Sequence, residues 1–123
     1  MALDVMIVDD SAAIRKILER VLRHADLHLG DVIEAGDGRE ALEKLQARSV
    51  GLILSDINMP NMDGIEFLQR VKANDSWKNL PMIMVTTEGS QDKVLQAIQL
   101  GAAGYIRKPF TADQIKEKLI GIV

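Results

Sequence analysis

The chain has 123 residues, 47% of them hydrophobic, which is the length of one domain with enough apolar mass to bury its own core. Lys plus Arg number 15 against 18 Asp plus Glu, a formal charge of -3, and no basic run could neutralise a row of phosphates, which argues against a nucleic-acid partner. There is no cysteine for a disulfide or thiolate metal site, no signal-peptide pattern at the start and no apolar run near the roughly 18 residues of a membrane span, so the expectation is a cytoplasmic protein without a membrane partner.

Residues 3–8 read as a short strand, and Ile14, Ile17, Leu18, Val21 and Leu22 then recur on one face of a helix. The alternation repeats. Residues 31–35 precede Ala41, Leu42 and Leu45; residues 51–55 precede Ile65, Leu68 and Val71. Residues 81–85 precede Val94, Leu95 and Ile98, and residues 104–106 precede Ile115 and Leu119. Strands such as LILS and MIMV are apolar throughout, which suits a parallel sheet covered by helices on both faces. Right-handed crossovers then predict a doubly wound α/β fold of five βα units, with short loops and a single domain over residues 1–123.

In such a sheet the working crevice lies outside the carboxyl ends of the strands. The first strand runs into Asp9, Asp10 and Ser11, the third into Asp56, the fourth into Thr86 and Thr87, and the fifth into Lys108 and Pro109. Singly, each has an ordinary explanation: Asp10 or Ser11 caps the first helix, Thr86 ends a strand, and Lys108 is a solvated charge. Together they do not, because paired carboxylates about 4 Å apart repel by about 4 kcal/mol at an effective dielectric of about 20 and call for a cation. An all-oxygen cluster without His or Cys points to Mg²⁺. An aspartate beside that ion suits phosphoryl acceptance, with Lys108 neutralising charge on the transferring group and Thr86 donating a hydrogen bond to it.

Four motifs, VDDS at 8–11, SDINMPNMDG at 55–64, VTTEG at 85–89 and GYIRKPF at 104–110, resemble in type and order those of the receiver domains of two-component response regulators, most closely the free-standing chemotaxis regulators. The resemblance spans essentially the whole chain. It implies a flavodoxin-like (βα)5 sheet in strand order 2-1-3-4-5, in a monomer with no output domain that is a phosphoacceptor rather than an enzyme with a separate substrate. It also implies that Asp56 takes a phosphoryl group from the phosphohistidine of a sensor histidine kinase. Mg²⁺ would be held by the side chains of Asp10 and Asp56, by the Asn58 carbonyl and through water by Asp9. Pro109 would follow a cis peptide that aims Lys108 inward, and Thr86 and Tyr105 would form the switch. The output would be a target protein bound on the face formed by the fourth helix, fifth strand and fifth helix. Pro60 is expected to stiffen the loop after Asp56, and Gly64 to adopt a backbone conformation that a side chain would penalise. Asn58 and Glu88, each two residues beyond a site residue, are expected to flank the phosphoryl group and set how fast water removes it, a pairing shared with chemotaxis regulators whose signal is brief.

Two other readings are weaker. GDGREA at 36–41 fits the loose dinucleotide pattern, but it follows the second strand and would set Asp37 against a pyrophosphate; turn glycines and a helix start explain it better. A phosphohydrolase with its nucleophile on the first strand would carry Asp where Ser11 stands. His24 and His28 lie at and just beyond the end of the first helix without matching ligands, so they read as surface or helix-terminus residues. Trp77 reads as a ring packed on the surface and the six Met as core filler and loop anchors.

Overall fold

All five expected βα units form in the computed structural model, which describes residues 2–25, 28–87 and 91–122. They are β1 (Leu3–Val8), α1 (Ala12–Arg23), β2 (Leu29–Ala35), α2 (Gly38–Ala47), β3 (Leu52–Ser55), α3 (Gly64–Ala73), β4 (Met82–Thr86), α4 (Gln91–Gln99), β5 (Gly104–Arg107) and α5 (Ala112–Ile120). Every strand pairing is parallel, and the order is β2-β1-β3-β4-β5. Among the described residues no helix is long and apolar enough to cross a membrane.

Local chemistry starts the helices. Ser11, Asp37, Asp63 and Thr111 are the N-caps of α1, α2, α3 and α5, and each side chain accepts a hydrogen bond from a backbone N–H in the first turn. Asp37 takes the Glu40 N–H at 2.8 Å, so GDGREA is a capped helix start whose own carboxylate fills the place an anion would need. His24 is the C-cap of α1 and His28 is exposed, with its carbonyl accepting from the Leu3 N–H at 2.6 Å.

Alternate residues of each strand face opposite sides of the sheet, and two cores result. Met6, Val8, Ile53, Met82 and Met84 pack with Ala41 and Leu45 of α2, Phe67, Leu68 and Val71 of α3, and Ala97 of α4. Val5, Ile7, Leu52, Leu54, Ile83 and Val85 pack with Leu18 and Leu22 of α1 and Ile115 and Leu119 of α5. Trp77 lies half-buried against the rim of the first core.

Periodicity overstated the apolar faces of two helices. Ile17, Leu95 and Ile98 are exposed, and Ala97 is the buried residue of α4. This short helix rests on α3 near the edge of the sheet that β5 closes, so there is too little sheet beneath it to cover a full apolar stripe. The expectation for Gly64 is also corrected. Among the described residues positive φ occurs at Asn61 (65°) and Gly101 (108°), not at Gly64. A Cβ on Gly64 would fall 2.0 Å from the carbonyl oxygen of Asp56, so close backbone approach, not backbone conformation, demands glycine there.

Candidate functional site at the carboxyl edge of the sheet

Strand register brings the acids together. Val8 of β1 lies beside Ser55 of β3, and the Asp56 N–H donates to the Val8 carbonyl at 2.8 Å, so Asp9 and Asp56 leave adjacent strands side by side. Across the sheet, Thr86 of β4 lies beside Arg107 of β5, and the Lys108 N–H donates to the Thr86 carbonyl at 2.9 Å. The Lys108–Pro109 peptide is cis. The Lys108 ammonium reaches back to Asp9 Oδ2 at 2.7 Å and to Asp56 Oδ2 at 3.3 Å. Asp9 is 1% and Asp56 7% exposed, and the Lys108 side chain is 11% exposed. Lys108 is therefore no solvated charge. Burial, the largest single influence on its amine, pushes the pKa down; the hydrogen bond to Asp9 and the charges of Asp56 and Asp9 together outweigh it and hold the pKa above the ordinary 10.5.

The remaining carboxylate oxygens are tied locally. Asp56 Oδ1 accepts from the Ile57 N–H at 2.7 Å, and Asp9 Oδ1 from the Ser11 N–H at 2.9 Å. The cap of α1 is Ser11, whose hydroxyl accepts from the Ile14 N–H at 3.2 Å, which leaves Asp10 exposed and free of capping duty. Thr86 is fully buried at the end of β4, while Asn58 and Tyr105 are exposed. Glu88 lies outside the described residues.

Carboxylate oxygens of Asp9, Asp10 and Asp56 lie within 4.8 Å of one another. Three carboxylates and the one ammonium among them leave a net charge of -2, from -3 and +1. An all-oxygen donor set with that residual charge and an open side at Asp10 fits a hard divalent cation.

Sequence reasoning missed two polar links around this site. Arg15 Nη1 donates to the Asp9 carbonyl at 2.6 Å while its Nε donates to Glu34 Oε1 at 2.9 Å. Asn61 Nδ2 donates to Asp37 Oδ2 at 2.7 Å and ties the loop after Asp56 to the start of α2. Glu34 lies on β2, Asp9 just past β1 and Asp37 just before α2, so these bonds depend on how the elements pack and not on a residue period.

Residues 5–120 match the response regulator receiver domain. The chain belongs to that family. This receiver is 42% identical over 115 residues to the chemotaxis protein CheY of Pseudomonas aeruginosa, a match covering 94% of this chain and 91% of that protein. It superposes on the chemotaxis protein CheY4 of Vibrio cholerae with a TM-score of 0.88 at 36% identity, covering 100% of each chain. It also matches a chain of the CheX-CheY-BeF3-Mg²⁺ complex from Borrelia burgdorferi, with a TM-score of 0.89 at 29% identity over 98% of this chain and 88% of that one. It is thus a CheY-like receiver, a signalling domain of two-component response regulators, with relatives that serve chemotaxis.

Proposed function

We propose that this receiver accepts a phosphoryl group on Asp56 from the phosphohistidine of a sensor histidine kinase, in an Mg²⁺-dependent step, and signals in chemotaxis by binding a target protein. The observation that carries the reading is the Lys108 ammonium bridging two buried carboxylates, Asp9 and Asp56, beside the exposed Asp10. An Asp56 oxygen attacks phosphorus as the phosphorus–nitrogen bond of phosphohistidine breaks; the imidazole nitrogen keeps the electron pair and later takes a proton, and Asp56 becomes an acyl phosphate. Lys108, already within reach of Asp56, offsets charge on the phosphoryl oxygens, and the Thr86 hydroxyl turns to donate to one of them. Asp10, Asp56 and the Asn58 carbonyl, with Asp9 through water, would hold Mg²⁺, which neutralises charge on the transferring group when bound. The presence of BeF3 and Mg²⁺ in the Borrelia complex supports this assignment.

Output falls to the face of α4, β5 and α5. Leu95, Ile98 and Tyr105 are exposed there, and Tyr105, Arg107, Gln114 and Lys118 line a hollow of about 600 Å³. Apolar side chains left in water are what a protein partner would cover. The same reading carries a monomer working in the cytoplasm and self-catalysed loss of the phosphoryl group, without a separate substrate. Intact-mass measurement after incubation with a small acyl phosphate tests it. One phosphoryl adduct is expected on the native protein with Mg²⁺, and none without Mg²⁺ or on Asp56→Asn; equal labelling of that variant overturns the assignment.

A further inference from the structure

We infer that Arg15 is a positioning residue for the cation site, acting through the Asp9 carbonyl on the direction in which Asp10 leaves the backbone. The inference rests on the reading that Asp9, Asp10 and Asp56 hold a divalent cation. Asp9 stands one residue past the end of β1. Its N–H still donates to the Ala35 carbonyl at 3.0 Å, but its own carbonyl takes the guanidinium of Arg15 at 2.6 Å where a further strand residue would have supplied an amide. The peptide is planar, so the Asp9 carbonyl and the Asp10 N–H lie in one rigid unit, and holding the oxygen fixes where the Asp10 side chain begins.

Asp10 depends on that restraint more than its neighbours do. The carboxylate of Asp9 is held by Lys108 and the Ser11 N–H, and that of Asp56 by Lys108 and the Ile57 N–H. The Asp10 carboxylate has no hydrogen bond to a described residue, so its backbone orients it. Arg15 is itself anchored: Glu34 Oε1 accepts from its Nε at 2.9 Å, and Glu34 Oε2 pairs with Lys16 at 2.6 Å. Glu34 is shared by Arg15 and Lys16, so removing the guanidinium makes the surroundings of the acids more negative, which by itself favours a cation; weaker binding then reports lost geometry. At the opposite edge of the sheet Arg48 bridges Asp4 and Asp31 in the same two-point manner, far from the acids. It is the control for a merely structural effect.

The probe is Mn²⁺, with its binding to the full chain followed by loss of the free-ion electron paramagnetic resonance signal, and thermal unfolding without cation recorded beside it. Arg15→Met is expected to raise the Mn²⁺ dissociation constant about tenfold, the low end of losses on removing a group that orients a metal ligand. Arg48→Met, which breaks a more exposed pair of ion contacts, is expected to keep the native affinity whatever stability it loses. Glu34→Ala, which leaves Arg15 without its anchor, is expected to weaken binding about threefold, a smaller orienting loss, and stands in should Arg15→Met fail to fold. Native affinity in Arg15→Met, in Glu34→Ala when it stands in, or an equal loss in Arg48→Met, overturns the role of Arg15. A native chain that binds no Mn²⁺, or Asp10→Asn binding as native, overturns the site reading beneath it.

Discussion

Lys108 Nζ lies 2.7 Å from Asp9 Oδ2, joining the residue after β5 to the residue after β1 across two intervening strands. Removing this ammonium leaves two buried carboxylates without a cationic partner among the described residues, each held only by a backbone N–H, that of Ser11 for Asp9 and that of Ile57 for Asp56. Lys108→Met is therefore expected to cost about 3 kcal/mol in cation-free protein, as for other broken buried pairs. Added Mg²⁺ should raise the melting temperature of the variant more than that of the native chain, because a cation then supplies the whole compensation. Thermal melts with and without Mg²⁺ check this, and equal increments would contradict it.

Thr86 is expected to couple phosphorylation to output. It ends β4 fully buried, and Tyr105 stands exposed on the neighbouring β5. If the hydroxyl moves to the phosphoryl group, it vacates space for the Tyr105 ring. A ligand shifts such an equilibrium only by its differential affinity for the two states. Thr86→Ala should still accept phosphate yet bind the target weakly when phosphorylated. Target affinity equal to that of the phosphorylated native protein would refute the coupling.

Asn58 is exposed two residues beyond Asp56, and it is expected to flank the side from which water must approach the phosphoryl group. An amide there leaves the path open and can orient the attacking water. Asn58→Lys and Glu88→Leu are each expected to slow loss of the phosphoryl group, followed as decay of the phosphorylated protein after the donor is removed. Unchanged rates in both would remove these residues from the control of signal lifetime.

Asp37 gives a pH dependence. The Glu40 N–H, and after it the Asn61 amide, bond its carboxylate and hold its pKa below the ordinary 3.8. A group whose folded-state pKa is depressed contributes stability in full above its unfolded value and loses it as pH falls through the folded value. Asp37→Asn should therefore be less stable than the native chain above pH 3.8, with the gap narrowing below it. Denaturation curves across that range are the measurement; a gap that widens toward acid contradicts the assignment.

Much of the site was legible before the fold. Asp9, Asp10, Asp56, Thr86 and Lys108 each follow or end an apolar strand, and a doubly wound sheet collects strand ends at one edge. The purpose of Gly64 was not legible, because its neighbour is the Asp56 carbonyl oxygen across a loop, and a steric limit of that kind has no trace in local propensity. Arg15 was equally silent. Its position on α1 reads as a solvated charge until the helix packs beside β1 and β2 and sets the guanidinium between Asp9 and Glu34.

The sequence by itself determined the five βα units and the two-faced burial of the central strands, because side-chain period acts within a few residues. Strand order came with the family resemblance, since the same local pattern is compatible with several orders in a parallel sheet. Only the tertiary structure decided that Lys108 bridges Asp9 and Asp56, that Arg15 holds the Asp9 carbonyl, and that Leu95 and Ile98 face water. Those outcomes depend on which elements become neighbours, and the packing of the whole sheet settles that across residues far apart in the chain.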